Sequence, residues 1–304
     1  MWKLMIATAA LATSAMGAPP SVQCDMTHAF DQPDQEGKKS RAVWSDGRGE
    51  GLLFADTMNV NTDGTRRSYS VDDFWGESRA INNLCNAMSD KCAGLDESGM
   101  RQRRLLTQDA KAKGWPVDIV KRTRISPSII PMPHGKPCAE VDGYLVSATA
   151  LHRAHVTDAC DLSNYVDAEQ VSAIVLPSGA PGFATRKAAV GDLAVAMSAD
   201  GRIIRYAVVG DSGPARELGE VSVALAGQLL GRTTPPANYR EIRGRHPYEG
   251  RGWTVGRTFI LVFPASRSAS APYMTMATID DAAAKLFKSW GGAERLKACA
   301  ANYR

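Results

Sequence analysis

Six cysteines downstream of a short apolar leader constrain this chain more than any other feature. Met1-Trp2-Lys3 supplies one positive charge, and Leu4 to Met16 forms a largely apolar run. That run has the length of a secretory h-region and falls short of the roughly 20 residues that a membrane-spanning helix needs. Ala15 and Gly17 put small residues at the two positions a signal peptidase reads. Residues 1–17 are therefore expected to be a signal peptide, and residues 18–304 a single exported domain. No later stretch is apolar enough to anchor the chain, so a secreted or periplasmic protein without a membrane partner is expected.

In an oxidising compartment Cys24, Cys85, Cys92, Cys138, Cys160 and Cys299 read as disulfides rather than as redox groups or metal ligands. Their pairing is open, although Cys85 and Cys92 are close enough to close a local loop. At least one bridge is expected to tie Cys299 back to the front half of the chain. Each bridge stabilises a fold by ~2–5 kcal/mol. Zinc is the weaker reading, because Cys85 and Cys92 are spaced more widely than a usual ligand pair and no second tight Cys/His pair lies near them. With 44% apolar and 22% charged residues, the chain has material for a large core. Its 27 glycines and 16 prolines favour a turn-rich body with strands over a helical bundle.

There is no internal repeat. Residues 24–50 are polar and glycine-rich and read as irregular, with His28 and Trp44 as bulky anchors. Gly51 to Ala55 reads as a strand, and Asp63-Gly64 as a tight turn after it. Helical spacing is found over 78–88 and 99–114, the second ended by Gly114 and Pro116. From Gly143 onward the pattern is strand-rich: residues 144–147, 173–176, 193–197, 203–209 and 258–263 are short and β-branched or aromatic. Ala199-Asp200-Gly201 reads as a hairpin turn, and residues 220–230 and 280–290 as helices. The resulting fold class is α+β, mainly β: a small double-psi-like β-barrel or mixed sheet with peripheral helices.

Between Arg101 and Arg124 lie eight basic and two acidic residues. This stretch reads as a solvated face, with a patch for an anionic polymer as the functional alternative. Apart from Trp115 it lacks the interleaved aromatics of a nucleic-acid platform, so no nucleic acid is expected. His152 and His155 could pair on a helix face, but no carboxylate pattern accompanies them, and a structural role is expected. Trp75, Trp44, Trp115 and Trp253 are candidates for stacking on sugar rings, Trp75 foremost. The glycines of 37–51 lack the strand-to-helix frame of a phosphate loop, and no Gly-x-Ser-x-Gly occurs.

The most informative segment is the apolar run Tyr206 to Val209 followed by Gly210-Asp211-Ser212-Gly213 and, after a turn, Gly219-Glu220. Such a pattern holds Asp211 at the rim of a barrel or sheet, where glycines let a ligand approach the backbone. Glu220, read as opening a helix, would be kept ionised by the helix dipole. Two carboxylates in different environments are what cleavage of a glycosidic bond requires, one protonating the leaving oxygen and the other activating water.

This segment resembles the signature of glycoside hydrolase family 75, the fungal-type chitosanases. In that family a strand leads to Gly-Asp-Thr-Asn-Gly and then to Gly-Glu-Ala-Ser, with the acid-to-acid spacing found here. Met58 to Gly64 resembles the family's Met-Asp-Ile-Asp-Cys-Asp-Gly, residues 188–201 its stretch before the catalytic strand, and Phe259 to Phe263 its late strand. The four motifs keep their order over about residues 50–265. The resemblance implies Asp211 and Glu220 as the catalytic acids of an inverting mechanism, with Asp63, Asn61, Ser212 and Gly213 lining the substrate. The sequence does not decide which acid plays which role: Glu220 near a helix start suits the base, which leaves Asp211 as the acid if its site is dry enough to raise its pKa. Two acids of the first motif are here Asn59 and Asn61, and Ser212-Gly213-Pro214 replaces Thr-Asn-Gly-Gly.

The expected protein is a secreted, endo-acting glycoside hydrolase on chitosan-type β-1,4-glucosamine polymers. It would act as a monomer with a polysaccharide as partner and without cofactor or metal. Because chitosan is a polycation and the chain carries a net charge of +4, the alternatives are a peptidoglycan-cleaving wall enzyme on the same barrel and a non-catalytic glycan-binding protein. A separation of Asp211 and Glu220 beyond about 12 Å would favour the last, since working carboxylate pairs stand ~5–9.5 Å apart.

Overall fold

A computed structural model describes residues 23–33 and 40–303; the expected signal peptide lies outside the described residues. The strands are β1 (Thr27–Pro33), β2 (Ser40–Ser45), β3 (Leu52–Asn61), β4 (Ala173–Pro177), β5 (Leu193–Ser198), β6 (Ile204–Gly213), β7 (Glu220–Ser222) and β8 (Val255–Phe263). The helices are α1 (Glu97–Ala112), α2 (Val117–Thr123), α3 (Pro181–Thr185), α4 (Val223–Leu230), α5 (Tyr239–Ile242), α6 (Met276–Trp290) and α7 (Gly292–Asn302). Strands β3-β7-β4-β6-β5-β8 close on themselves through β3–β8 pairing, and β2 and β1 extend outward from β3. The pairs β3–β7 and β4–β6 are parallel and the other barrel pairs antiparallel. The molecule is thus α+β and mainly β, a closed six-stranded mixed barrel with two added strands and peripheral helices.

Barrel strands are legible as apolar runs because both of their faces are buried. On β5, Ala194 and Ala196 point into the barrel with Val209, Ile260 and Val262. The alternate residues Leu193, Val195 and Met197 pack outward with Leu261, under Ile279 and Phe287 of α6 and Leu296 of α7. A satellite core around Tyr69, Phe74, Leu84, Met88, Ile125 and Leu145 lies in the long connection between β3 and β4. Three disulfides staple these parts: Cys24–Cys299, Cys85–Cys92 and Cys138–Cys160. The first is the expected tie from the C-terminal helix to the front of the chain. With all six cysteines bridged, the zinc reading of Cys85 and Cys92 falls. Three disulfides are typical of proteins from oxidising compartments, and among the described residues no helix is long and apolar enough to cross a membrane.

Several local expectations are corrected. Residues 24–50 are not irregular throughout, since β1 and β2 form an antiparallel ribbon in which Trp44 stacks on Tyr303 at 4.2 Å. The stretch 78–88 holds only a 3-10 turn, Leu84–Ala87. Asp73 is the cause: its carboxylate accepts backbone N–H groups from Glu77, Ser78, Arg79 and Ala80 at 2.8–3.3 Å. Those bonds stabilise a loop in competition with helical ones. Residues 144–147 make isolated bridges to Tyr69 and Val141 rather than a strand. The helix expected from Glu220 starts only at Val223, capped by the Ser222 hydroxyl, and Glu220 opens the short strand β7.

The basic stretch 101–124 covers α1 and α2 and is largely neutralised. Arg103 and Arg124 pair with Asp90, Lys111 with Asp72 and Glu140, Lys113 with Asp109 and Arg101 with Glu97. Five of its eight cations are thus held in ion pairs. His152 lies in an extended bridge to Tyr165, not on a helix, so the histidine pair has no common face. Trp253 is a core residue whose indole N–H donates to Glu241 at 3.2 Å. Trp115 packs against the satellite core.

Candidate active site

The centre of the site is β4, flanked by β6 on one side and β7 on the other. Val175 of β4 is in register with Asp211 on β6 and with Glu220 on β7. In-register neighbours project to the same face of a sheet, so both carboxylates flank Val175, each one strand spacing of about 4.8 Å away. A bulge at Gly210 sets this register, because Val209 pairs with Ile174 and the next residue on β6 to find a partner is Asp211. A Cβ at Gly210 would stand 2.8 Å from the Ala173 Cβ, so the bulge requires glycine.

Asn61, at the end of β3, lies beside the acids. Its Oδ1 accepts the Asp63 N–H at 2.8 Å, which turns its amide N–H₂ toward Asp211 Oδ2 at 3.4 Å. It also helps to lower the pKa of Glu220. An Asn here adds a donor among the carboxylates without adding a like charge.

Asp211 accepts backbone N–H groups from Ala150 at 2.9 Å and Ser212 at 2.8 Å. Burial raises its pKa, and these two amides and Asn61 oppose the rise. Glu220 has fewer donors; burial and the neighbouring Glu217 charge push it up to about 7 against the pull of Lys91 and Asn61. The expectation that a helix dipole keeps Glu220 ionised is thereby corrected, for it sits on a strand and favours its protonated form. Asp63 stands in a turn that only glycine can follow, since Gly64 has φ +84° and a Cβ there would meet the Val166 carbonyl at 2.0 Å. Its Oδ1 accepts the Tyr69 hydroxyl at 2.8 Å and the Ser147 hydroxyl at 3.2 Å. Burial and the Asp211 charge raise Asp63 to about 7.

These groups open into a cleft of about 590 Å³ that also takes in Ser212, Gly213, Glu217 and Lys91. The structure therefore brings Asp211, Glu220, Asp63, Asn61, Ser212 and Gly213 together, while Trp75 is not among them. Trp75 packs edge-to-face on Phe74 and lines an adjoining basin of about 710 Å³. Lys91 and Asn86 line both cavities. Ser147, Ala150 and Lys91 carry no local sequence signal, because they act on acids 84, 61 and 126 residues away, Ala150 through its backbone alone. No group of His, Cys, Asp and Glu among the described residues is arranged to hold a metal ion. No protein-family model matches the chain, and no curated protein matches it.

The raised acids make stability depend on pH. A carboxyl near 4 in the unfolded chain and near 7 in the fold gives stability that is whole below pH about 4 and lost as pH rises through 7. Asp63→Asn keeps an oxygen for Tyr69 and Ser147 but cannot ionise. Between pH 5 and 8 its urea midpoint is expected to fall less than that of the parent, a difference on the order of 1–3 kcal/mol at pH 8. Parallel pH curves for the two proteins would contradict the assignment.

Proposed function

We propose that the protein is a secreted or periplasmic endo-acting glycoside hydrolase of chitosanase type, cleaving β-1,4-linked glucosamine polymers with inversion. The observation that carries this reading is the pair Asp211 and Glu220, in register on either side of one residue of β4 and lining one open cleft. Glu220, protonated up to pH about 7, gives its proton to the glycosidic oxygen as the C–O bond breaks. Asp211, whose carboxylate accepts two backbone amides and the Asn61 amide, takes a proton from the water that attacks the anomeric carbon from the opposite face. This mechanism calls for a carboxylate gap wide enough to hold that water, whereas a covalent intermediate would call for a closer pair of ~5–5.5 Å.

The charge of the cleft supports a cationic substrate. Asp211 and Glu217 line it against a single cation, Lys91, among the described lining residues, and Asp63 and Glu220 add negative charge as pH rises through about 7. The net positive charge of the chain lies elsewhere, much of it in the paired helices α1 and α2. A second reading, cleavage of wall peptidoglycan, is favoured only by Arg240, Arg245 and His246 in the adjoining basin. Release of reducing ends from chitosan is expected, with the α-anomer appearing first by proton NMR. Release from purified peptidoglycan alone selects the second reading, and release from neither overturns both.

A further inference from the structure

The Lys91 ammonium lies 3.3 Å from Glu217 Oε1, and the two residues come from opposite parts of the chain. Lys91 sits inside the loop closed by Cys85–Cys92, with backbone φ of +48° at Lys91 and +54° at Cys92. Glu217 stands in the turn between β6 and β7, its N–H donating to the Pro214 carbonyl at 3.0 Å. Both line the cleft, and Lys91 also lines the adjoining basin. Lys91 thus stands where the two cavities share lining residues, with Glu217 beside it on the cleft side. Lys91 is half exposed, with 53% of its side-chain surface open, so its ammonium leaves Glu217 at little cost.

We infer that Glu217 is the carboxylate that reads a sugar ammonium group next to the cleavage point, and that Lys91 holds that place in the free protein. The inference rests on the glucosamine-polymer reading and names the residue that would select for it. A glucosamine ring carries at C2 the same chemical group that Lys91 presents, a primary ammonium with three donors. Exchanging one ammonium for another keeps Glu217 paired throughout. An N-acetylated ring has no cation to offer, so it meets Glu217 still occupied by Lys91 and gains nothing from it. Glu217 is thus a specificity-determining residue that takes no part in proton transfer.

The test is binding of a fully deacetylated glucosamine oligomer and of its N-acetylated counterpart, by calorimetry at pH 6, in an inactive Glu220→Gln background. Gln is a neutral isostere of the protonated acid, so that background is expected to fold. Adding Glu217→Gln is expected to weaken the deacetylated oligomer about tenfold and to leave the acetylated one within about twofold. Adding Lys91→Gln instead is expected to tighten the deacetylated oligomer severalfold, because the resident competitor is gone. Equal effects of Glu217→Gln on both oligomers, or weakening by Lys91→Gln, overturn the inference while leaving the hydrolase reading intact. If neither oligomer binds the Glu220→Gln protein, the glucosamine-polymer reading fails and the inference with it.

Discussion

Glu220→Gln and Asp211→Asn are each expected to lower chitosan hydrolysis by about 10²–10⁴-fold, the contribution of a positioned acid or base. Gln keeps the shape of the protonated Glu220 side chain but has no acidic proton to give the leaving oxygen. Below pH 7 its unfolding temperature should stay close to that of the parent. At pH 8 it should be higher, because the parent must hold an ionised Glu220 that burial pushes up to about 7. Asn at position 211 still accepts the Ala150 and Ser212 amides through its oxygen but cannot take a proton from water. The pH profile separates the roles. In the parent, activity should fall on the alkaline side near pH 7 as Glu220 ionises. Either variant retaining activity within threefold of the parent would remove the two-carboxylate mechanism.

Removing the Cys24–Cys299 bridge by a double substitution to Ala is expected to cost about 4–5 kcal/mol, read as a lower denaturant midpoint. The bridge closes a loop with a sequence separation of 275, nearly the whole chain, so its effect on the entropy of the unfolded state is the largest of the three. It also secures a junction made of single contacts: Arg295 to Asp25, Tyr303 to the Met26 carbonyl at 2.9 Å, and the Trp44–Tyr303 stack. Cys299 is fully buried on α7 beside Leu296, so two Ala side chains add a small packing loss. The carboxylate cleft shares no lining residue with this junction. Activity at 25 °C should therefore survive, and loss of activity without loss of stability would contradict the separation of staple from site.

Much of the barrel was readable in advance for one reason. Strands β4, β5, β6 and β8 are buried on both faces and so appear as unbroken apolar runs whatever their partners. Strand β7 is different: three residues long, it exists because β3 and β4 supply its hydrogen bonds from either side, and its own sequence reads as the start of a helix. The periodicity of 78–88 fails in the opposite direction, since Asp73, outside the window, captures the backbone donors a helix would use. Trp75 was attractive because tryptophan stacks on sugars, yet adjacency in sequence to other polar residues carries no information about which cavity it lines.

For the site itself, the candidates Asp211, Glu220, Asp63 and Asn61 come from short motifs that resemble one family's signature, and the structure places all four around one cleft. The disulfide tie from Cys299 to the front half is likewise implied by export and an even cysteine count. What only the tertiary structure decided is the protonation of those acids. Burial, the Asn61 amide from 150 residues away and the Ala150 amide from 61 residues away set which carboxyl keeps its proton. Desolvation and hydrogen bonding are properties of packed neighbours, and no stretch of sequence around Glu220 contains them.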